Sequence, residues 1–587
     1  MVAVELPVAR SRGVNWNALG LAGVLGGVAL LAILPFLWTV HRFPIPSFDS
    51  EVVAAWCLAL ALLSSRLLSG ADATVRWPLP AALLGLSAIA FLQQALGMLA
   101  YSQQAVRFLL YVASMLVAYV FGRRVVEAGR ARELTDVFCG AVLIGGLYSV
   151  FVQWLQLFDI EFLPMWIAAV YRDGVVQTRP FGNMGQANHV ATYIAMAALS
   201  TVYLAVRARR QWFVVPSLLV AASGLAMTGS RMGTAFLLIA VAALFAPTAL
   251  RPGSARLRWI GVAALLFGYM VGLIAVRTVV GEVDTLARFG QNTGPLRLEL
   301  WWQAWQIALQ HPLLGLGVGH FPAGQYSVAR ASPFVVPATN CHNIVLQLAA
   351  EFGWPAALAV CAIGLTWAVR DLRARIARPE LALAMGVMLL IAIHSMLEFP
   401  LWHLYFAIPA ALLFALAEPE RSASATLDVR NILPVAGLSI LGVGFALSAN
   451  YDWIAQAGAP MWLESKNVRN RVPADADLVL MVADSKLFQP EADRLMIDLN
   501  HPPDENTNGP IDRAARVLRV LPAPEVIAQY VVLLAKAGRI DEALLHARRL
   551  QVLGHDNYPA LRDWILDRTR DLGPQTAPLR HALREVP

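Results

Sequence analysis

The sequence predicts an all-α, polytopic membrane bundle of about 12–13 spans, followed by a soluble helical segment. Three observations carry this. The chain of 587 residues is 58% hydrophobic and only 14% charged, whereas about a quarter of an average globular chain is charged. Apolar runs of about 17–25 residues recur, long enough to cross a bilayer as helices. Arginines gather in alternate short loops between those runs, the bias that orients membrane proteins. The net charge of +7 therefore reads as topology and excludes nucleic acid as the expected partner.

The expected spans, taken in order, are 19–40, 52–68, 81–100, 108–122, 137–157, 190–206, 214–227, 233–250, 260–279, 344–369, 381–396, 401–416 and 433–448. The first run is long and lacks a clear small-residue cleavage site, so it is expected to stay as a span. Run 344–369 is interrupted by Glu351, Gly353 and Pro355. It reads as one kinked helix or as a short entering segment followed by a full span.

One set of loops holds Arg66 and Arg76, then Arg123, Arg124, Arg130 and Arg132, then Arg207, Arg209 and Arg210. The set continues with Arg251, Arg256 and Arg258, and with Arg370, Arg373, Arg375 and Arg378. That face, with Arg10 and Arg12 of the N-terminus, is expected to be cytoplasmic. Loops 159–189 and 281–342, Arg231, and the turn Glu398-Phe399-Pro400 then share the opposite side. So does the tail after about thirteen crossings.

Residues 1–450 form the expected membrane domain and 451–587 a C-terminal soluble helical domain that contains every lysine, Lys466, Lys486 and Lys536. Val526, Ile527, Tyr530, Leu533 and Leu534, then Ala543, Leu544, Ala547 and Leu550, recur at helical spacing around Gly538-Arg539. This pair resembles a tetratricopeptide unit, which needs neighbouring helices to bury its apolar face. It reads equally as a docking surface for a partner and as a small cap over the outer loops.

Ionisable groups at the edge of a bilayer are costly and mark working sites. In the stretch from Arg179 to His189, Asn188 is expected to cap the helix that follows. The first N–H groups of that helix favour anions, and Arg179 adds a full charge. Asn183, Gln186 and His189 read equally as site residues and as ordinary loop. Arg231, in Thr228-Gly229-Ser230-Arg231-Met232-Gly233, runs against the charge bias of its own side. Snorkelling to headgroups is the bland explanation. Bidentate binding of a diphosphate is the sharper one.

Arg297 opens an amphipathic helix that ends at Pro312. It is expected to lie in the membrane interface, anchored by Trp301, Trp302 and Trp305. Gly315, Gly317 and Gly319 then read as a flexible turn, with no preceding strand to make a dinucleotide site. Arg172 and Arg330 are further isolated arginines of these loops.

His342, in Thr339-Asn340-Cys341-His342-Asn343, stands at the start of a helix that also carries Glu351. Histidine is suited to take a proton from a hydroxyl near neutral pH. A lone histidine favours a capping role, but the arginines on the same face favour catalysis. Glu398 reads as an orienter of that base or, with slightly more weight, as the structural partner of an arginine. His394 lies inside a span and reads as a packed, hydrogen-bonded histidine. Cys57, Cys139 and Cys361 lie in apolar runs and Cys341 adjoins His342. Their spacing matches no zinc site or disulfide framework, so no metal or cofactor is expected.

These motifs together resemble the O-antigen ligase superfamily of bacterial polytopic membrane glycosyltransferases, and most of all its protein O-oligosaccharyltransferase branch. The likeness covers residues 137–416 and rests on Arg179-Pro180-Phe181-Gly182-Asn183 with Asn188-His189, and on Gly229-Ser230-Arg231-Met232-Gly233. The stretch from Arg297 through Gly315-Leu316-Gly317 to His342-Asn343, and His394-Ser395 to Glu398-Phe399-Pro400-Leu401-Trp402, complete it. Position 399 is Phe where the protein-modifying branch often has Tyr.

The resemblance implies a glycan donor carried on undecaprenyl diphosphate and metal-free transfer on the periplasmic side of the bacterial inner membrane. It implies that His342 is essential and that Arg231 and Arg297 hold the diphosphate; Arg179 is expected as a third contact, and Asn343 is expected to support the site. The expected acceptor is a serine or threonine of a periplasmic protein such as a pilin. Lipid A-core and a further glycan repeat, the ligase and polymerase alternatives, follow. A transporter of the same lipid is the non-enzyme alternative, but internal repeats and midplane charges are missing.

Overall fold

A computed structural model describes residues 15–68, 72–169, 179–207, 211–281, 293–328, 330, 337–418, 425–463, 485, 487–498, 508–553 and 558–585. Arg172, Arg209, Arg210, Arg10, Arg12, Lys466, Lys486 and part of loop 281–342 lie outside them.

The first nine helices are α1 (Trp16–Leu37), α2 (Phe48–Ser64), α3 (Pro78–Ala95), α4 (Ser102–Glu127), α5 (Ala131–Leu157), α6 (Ala187–Arg207), α7 (Val214–Met227), α8 (Arg231–Phe245) and α9 (Ala255–Val280). The segment that follows holds α10 (Thr293–Gln310), α11 (Phe321–Val328) and α12 (Ile344–Phe352). Then come α13 (Trp354–Val369), α14 (Leu372–Ile376), α15 (Pro379–Ser395), α16 (Leu404–Ala417) and α17 (Ile432–Leu463). Among the described residues, eight helices are long and apolar enough to cross a membrane, and five shorter apolar helices accompany them. They correspond one to one with the expected runs. The protein is a multi-pass membrane protein built as a helical bundle.

An apolar helix without a polar face belongs at the centre of a bundle. That is where α16 sits, buried along its whole length; α6, of which nearly every residue is buried, packs beside α15. Helices close on one another through small residues, as packing in lipid requires. A Cβ at Gly268 of α9 would lie 2.1 Å from the Leu219 carbonyl of α7, and one at Gly272 2.3 Å from that of Ser223.

Of the two forms expected for run 344–369 the structure has the short entering helix followed by a longer one, because Gly353 (φ +85°) breaks the run and approaches the Leu313 carbonyl so closely that a Cβ would stand at 2.2 Å. The structure corrects three other local expectations. Run 401–416 begins only at Leu404, since Pro400–Trp402 forms a 3-10 turn. The all-α expectation misses a two-stranded antiparallel sheet, β1 (Asp72–Val75) with β2 (Ala425–Asp428), which links loops far apart in sequence. Gly315, Gly317 and Gly319 do not form a free turn. Leu316 N–H donates to the Ala350 carbonyl (2.8 Å) and Val318 N–H to Gln93 Oε1 (3.0 Å). Gln93 Nε2 donates to the Leu314 and Glu351 carbonyls (2.6 and 2.8 Å). The positive φ at these glycines brings the loop flat against α12, and a Cβ at Gly315 would stand 2.2 Å from the Glu351 carbonyl carbon. Gly315→Ala is therefore expected to destabilise the protein by about 1–3 kcal/mol, seen as a lower thermal unfolding midpoint in detergent.

The C-terminal helices are α18 (Gln489–Asp498), α19 (Asn508–Leu518), α20 (Pro524–Lys536), α21 (Ile540–Leu553), α22 (Tyr558–Arg568) and α23 (Ala577–Glu585). The expected stripe, Val526, Ile527 and Leu534 against Ala543, Ala547 and Leu550, is buried in a core of their own. Polar contacts tie these helices to the bundle. Tyr101 OH donates to Asp493 Oδ2 (2.9 Å), Arg107 Nη1 to Glu491 Oε1 (2.8 Å), and Tyr326 bonds His546. Of the two readings of this segment, these contacts support the cap.

Candidate functional site

The site is built at the end of the bundle where α6, α8, α12 and α16 begin. Its base is the turn before α12. Asn343 is the N-cap, its Oδ1 accepting from Val345 N–H and Leu346 N–H (both 3.1 Å). Asn340 Oδ1 accepts the His342 N–H (3.2 Å), and Gln347 Oε1 that of Cys341 (2.8 Å). This network holds His342 at φ +56°, a left-handed conformation that non-glycine residues adopt at a cost. Such outliers persist where surroundings enforce them, often at working sites. The ring is turned so that Nδ1 donates to Glu398 Oε2 at 2.6 Å. Capping belongs to Asn343, not to His342.

Glu398 is the junction of the site. It is 6% exposed and its two oxygens accept from three segments. Oε2 takes His342, and Oε1 takes Arg297 Nη2 and Asn188 Nδ2, both at 2.9 Å. Burial pushes its carboxyl up, but the His342 hydrogen bond and the charges of His342 and Arg297 outweigh burial and hold it below the usual carboxylate range. The two readings of Glu398, partner of an arginine and orienter of His342, are thus both realised geometrically.

Asn188 extends the network. It lies inside the first turn of α6, which begins at Ala187, so it is not the expected cap. Its Oδ1 accepts from Arg179 Nη2 (3.2 Å) and from Ser230 Oγ (2.8 Å). Arg179 also donates to the Thr228 carbonyl (3.0 Å). Ser230 caps α8, and Arg231 is the first residue of that helix. Asn188 therefore joins Arg179, the start of α8 and Glu398, with Arg297 and His342 beyond.

Other expected residues stand aside. Asn183 is buried and fastens its own loop, donating to the Leu37 and Ile167 carbonyls (2.9 and 2.8 Å). Gln186 is half-buried, and its carbonyl accepts the Val190 N–H (3.2 Å). His189 is buried, with Nδ1 against Tyr405 OH at 2.9 Å. Its ring packs on those of His394 (5.4 Å) and His403 (4.8 Å). His394 is hydrogen-bonded to Thr192 at 2.8 Å, as a packed histidine should be. Phe399 meets His342 edge-on at 5.4 Å and His189 at 6.5 Å. Arg330 pairs with Glu299 (2.9 Å) and lies over Trp302, a structural arrangement. Trp305 is half-exposed beside Trp354. His403 and Tyr405 escape sequence reasoning, because each meets His189 through a contact distant in the chain and no local spacing announces it; Ser230 stands in the Arg231 motif, but that motif does not announce its bond to Asn188. Among the described residues no group of three or more His, Cys, Asp or Glu is placed to hold a metal.

The arrangement offers one imidazole oriented by a carboxylate that also holds Arg297, with Arg179 linked through Asn188, at the mouth of a membrane bundle. Comparison with known proteins agrees. Residues 216–361 match the O-antigen ligase family model, and residues 180–205 that of the protein glycosylation ligase. Residues 382–563 match the C-terminal model of the virulence factor membrane-bound polymerase. The chain is similar to the general O-oligosaccharyltransferase of Acinetobacter baylyi, 25% identical over 437 residues that cover 71% of this chain and 74% of the relative. The site geometry and these matches converge: the chain is similar to the O-antigen ligase superfamily of membrane glycosyltransferases, and most of all to its oligosaccharyltransferase branch.

Proposed function

We propose that this glycosyltransferase moves a preassembled glycan from undecaprenyl diphosphate to a serine or threonine hydroxyl of a protein, on the periplasmic side of the inner membrane. The observation that supports it most is the junction at Glu398, which holds His342 and Arg297 within one carboxylate of each other. With Nδ1 donating to Glu398, His342 Nε2 carries the lone pair and accepts the acceptor's proton. The hydroxyl oxygen then bonds the anomeric carbon as the bond from that carbon to the diphosphate oxygen breaks. One displacement inverts the carbon; among the described residues no pair of carboxylates stands ready for a double displacement. Arg297, Arg231 and Arg179 stabilise the charge that grows on the leaving diphosphate. Arg297 spends one of its five N–H donors on Glu398, so others remain for phosphate oxygens.

The match of residues 382–563 to a polymerase model favours a second reading, in which the acceptor is a sugar hydroxyl of another repeat unit. A cell-free assay with a defined lipid-linked donor and three acceptors (a periplasmic protein such as a pilin, lipid A-core, and a further repeat) separates these. Transfer to protein is expected; transfer only to glycan or lipid A-core overturns the protein-acceptor reading. In the same assay Arg231→Ala and Arg297→Ala are each expected to weaken donor binding by about tenfold or more, the loss of charge-assisted hydrogen bonds to phosphate. Unchanged donor affinity in both variants excludes them as diphosphate ligands.

A further inference from the structure

A cavity lined by several charged side chains lies at the other end of α16, on the arginine-rich side. It has a volume of about 350 Å³ and opens where α3 begins and α13 ends, bounded by α14 and Glu418. Arg76, Arg370 and Arg375 line it with Trp367, Asp371 and Glu418. The side chains of Arg76 and Arg375 belong to residues only 9% and 3% exposed. Arg76 Nε and Nη2, and Arg375 Nε, are buried without an acceptor among the described residues. Arg375 Nη1 is spent on the Trp367 carbonyl, and its guanidinium lies 4.5 Å over the Trp367 ring.

A guanidinium stays charged in a protein and cannot shed its cost by losing a proton. Buried N–H groups without acceptors are rare and need an explanation. The carboxylates present attract these guanidinium groups but accept none of the three N–H groups, and Glu418 Oε1 is itself buried without a hydrogen-bond partner among the described residues. Asp371 stands 3.8 Å from exposed Arg370. Glu418 accepts from Tyr119 OH (2.7 Å), and burial holds its carboxyl above the usual range, which weakens it as a counter-charge.

We propose that this cavity binds an anionic phosphate group, with Arg76 and Arg375 as its donors. Guanidinium donors match phosphate oxygens in fork geometry, and the three orphaned N–H groups exceed what a single carboxylate oxygen accepts. The cavity stands at the ends of apolar helices, the level at which basic pockets between spans take acidic lipid headgroups. A soluble phosphate ester presents the same chemistry, and the two sources are separable by experiment. The site is remote from His342, since the fourteen residues of α16 separate their ends by about 21 Å.

The test is binding to the purified full-length protein in dodecyl maltoside, read by native mass spectrometry and by thermal unfolding. Phosphatidylglycerol, phosphatidylcholine, inorganic phosphate and glycerol phosphate are titrated separately. The expected result is phosphatidylglycerol bound about tenfold more tightly than phosphatidylcholine, with Arg76→Gln and Arg375→Gln each losing most of that preference. Stabilisation by inorganic phosphate or glycerol phosphate that both variants lose, without lipid preference, supports the same site and assigns it a soluble ester. Thr366→Trp, which obstructs the cavity from an exposed position and keeps every charge, is expected to weaken binding equally, and it serves if the arginine variants fail to fold. Equal affinity for both lipids with no effect of either phosphate compound overturns the proposal. So does undiminished binding in a folded variant.

Discussion

His342→Ala is expected to reduce glycan transfer by on the order of 10²–10⁴-fold, the range that general base catalysis contributes, while the protein stays folded and binds its donor. The imidazole is the group placed to receive the hydroxyl proton, and Glu398 holds it at 2.6 Å. Its side chain is 26% exposed, so truncation opens a gap that water fills and leaves no dry cavity. Glu398 keeps Arg297 and Asn188 in the variant. The loss should therefore fall on kcat, with little change in donor affinity. His342→Gln keeps a polar group but no basic nitrogen, and it should be as inactive. Full turnover of either variant in a purified transfer assay removes His342 as the base.

Glu398→Ala should reach further, because one change strands three donors. Turnover is expected to fall by at least about 10²-fold as the imidazole loses its tautomer and orientation. Breaking a buried ion pair costs about 3–5 kcal/mol. Arg297 and His342 have side chains 32% and 26% exposed, so water recovers part of that loss. A destabilisation of about 1–3 kcal/mol follows. Glu398→Gln isolates the charge, and its pH dependence has a definite sign. The folded carboxyl is held below its usual range, so the stability it adds is complete above the unfolded value of about 4.3. That stability disappears as pH falls through the folded value. The melting-temperature gap between wild type and E398Q should be fully present above the unfolded value of about 4.3 and narrow progressively as pH falls below it. A gap that does not narrow on acidification shows that the charge contributes no stability.

Most of the bundle was legible because lipid imposes a length and a composition on each span. Hydropathy alone locates α1 to α9, and the arginine bias separates the end of the bundle that holds Arg123 and Arg375 from the end that holds Arg179 and His342. Boundaries shifted where backbone geometry overrules hydropathy, at Gly353 and at Pro400–Trp402. The site was legible as a set of residues but not as a network. Arg297, His342 and Glu398 stand out as ionisable groups at span ends. That Glu398 binds all three of Arg297, His342 and Asn188 depends on where α10, α12 and α6 come to rest, and no periodicity encodes it. The same holds for Asn188, expected as a cap and found as a bridge. It holds also for the glycines near 317, where Gln93 of a distant helix supplies the fastening.

Glu398 gathers partners that lie 56, 101 and 210 residues away along the chain. Contacts closing such long loops are rewarded only after the intervening segments are in place, so they form slowly. Refolding should accordingly recover helix content first and competence for transfer last. A preparation with native circular dichroism but no activity is the arrested species that this ordering predicts.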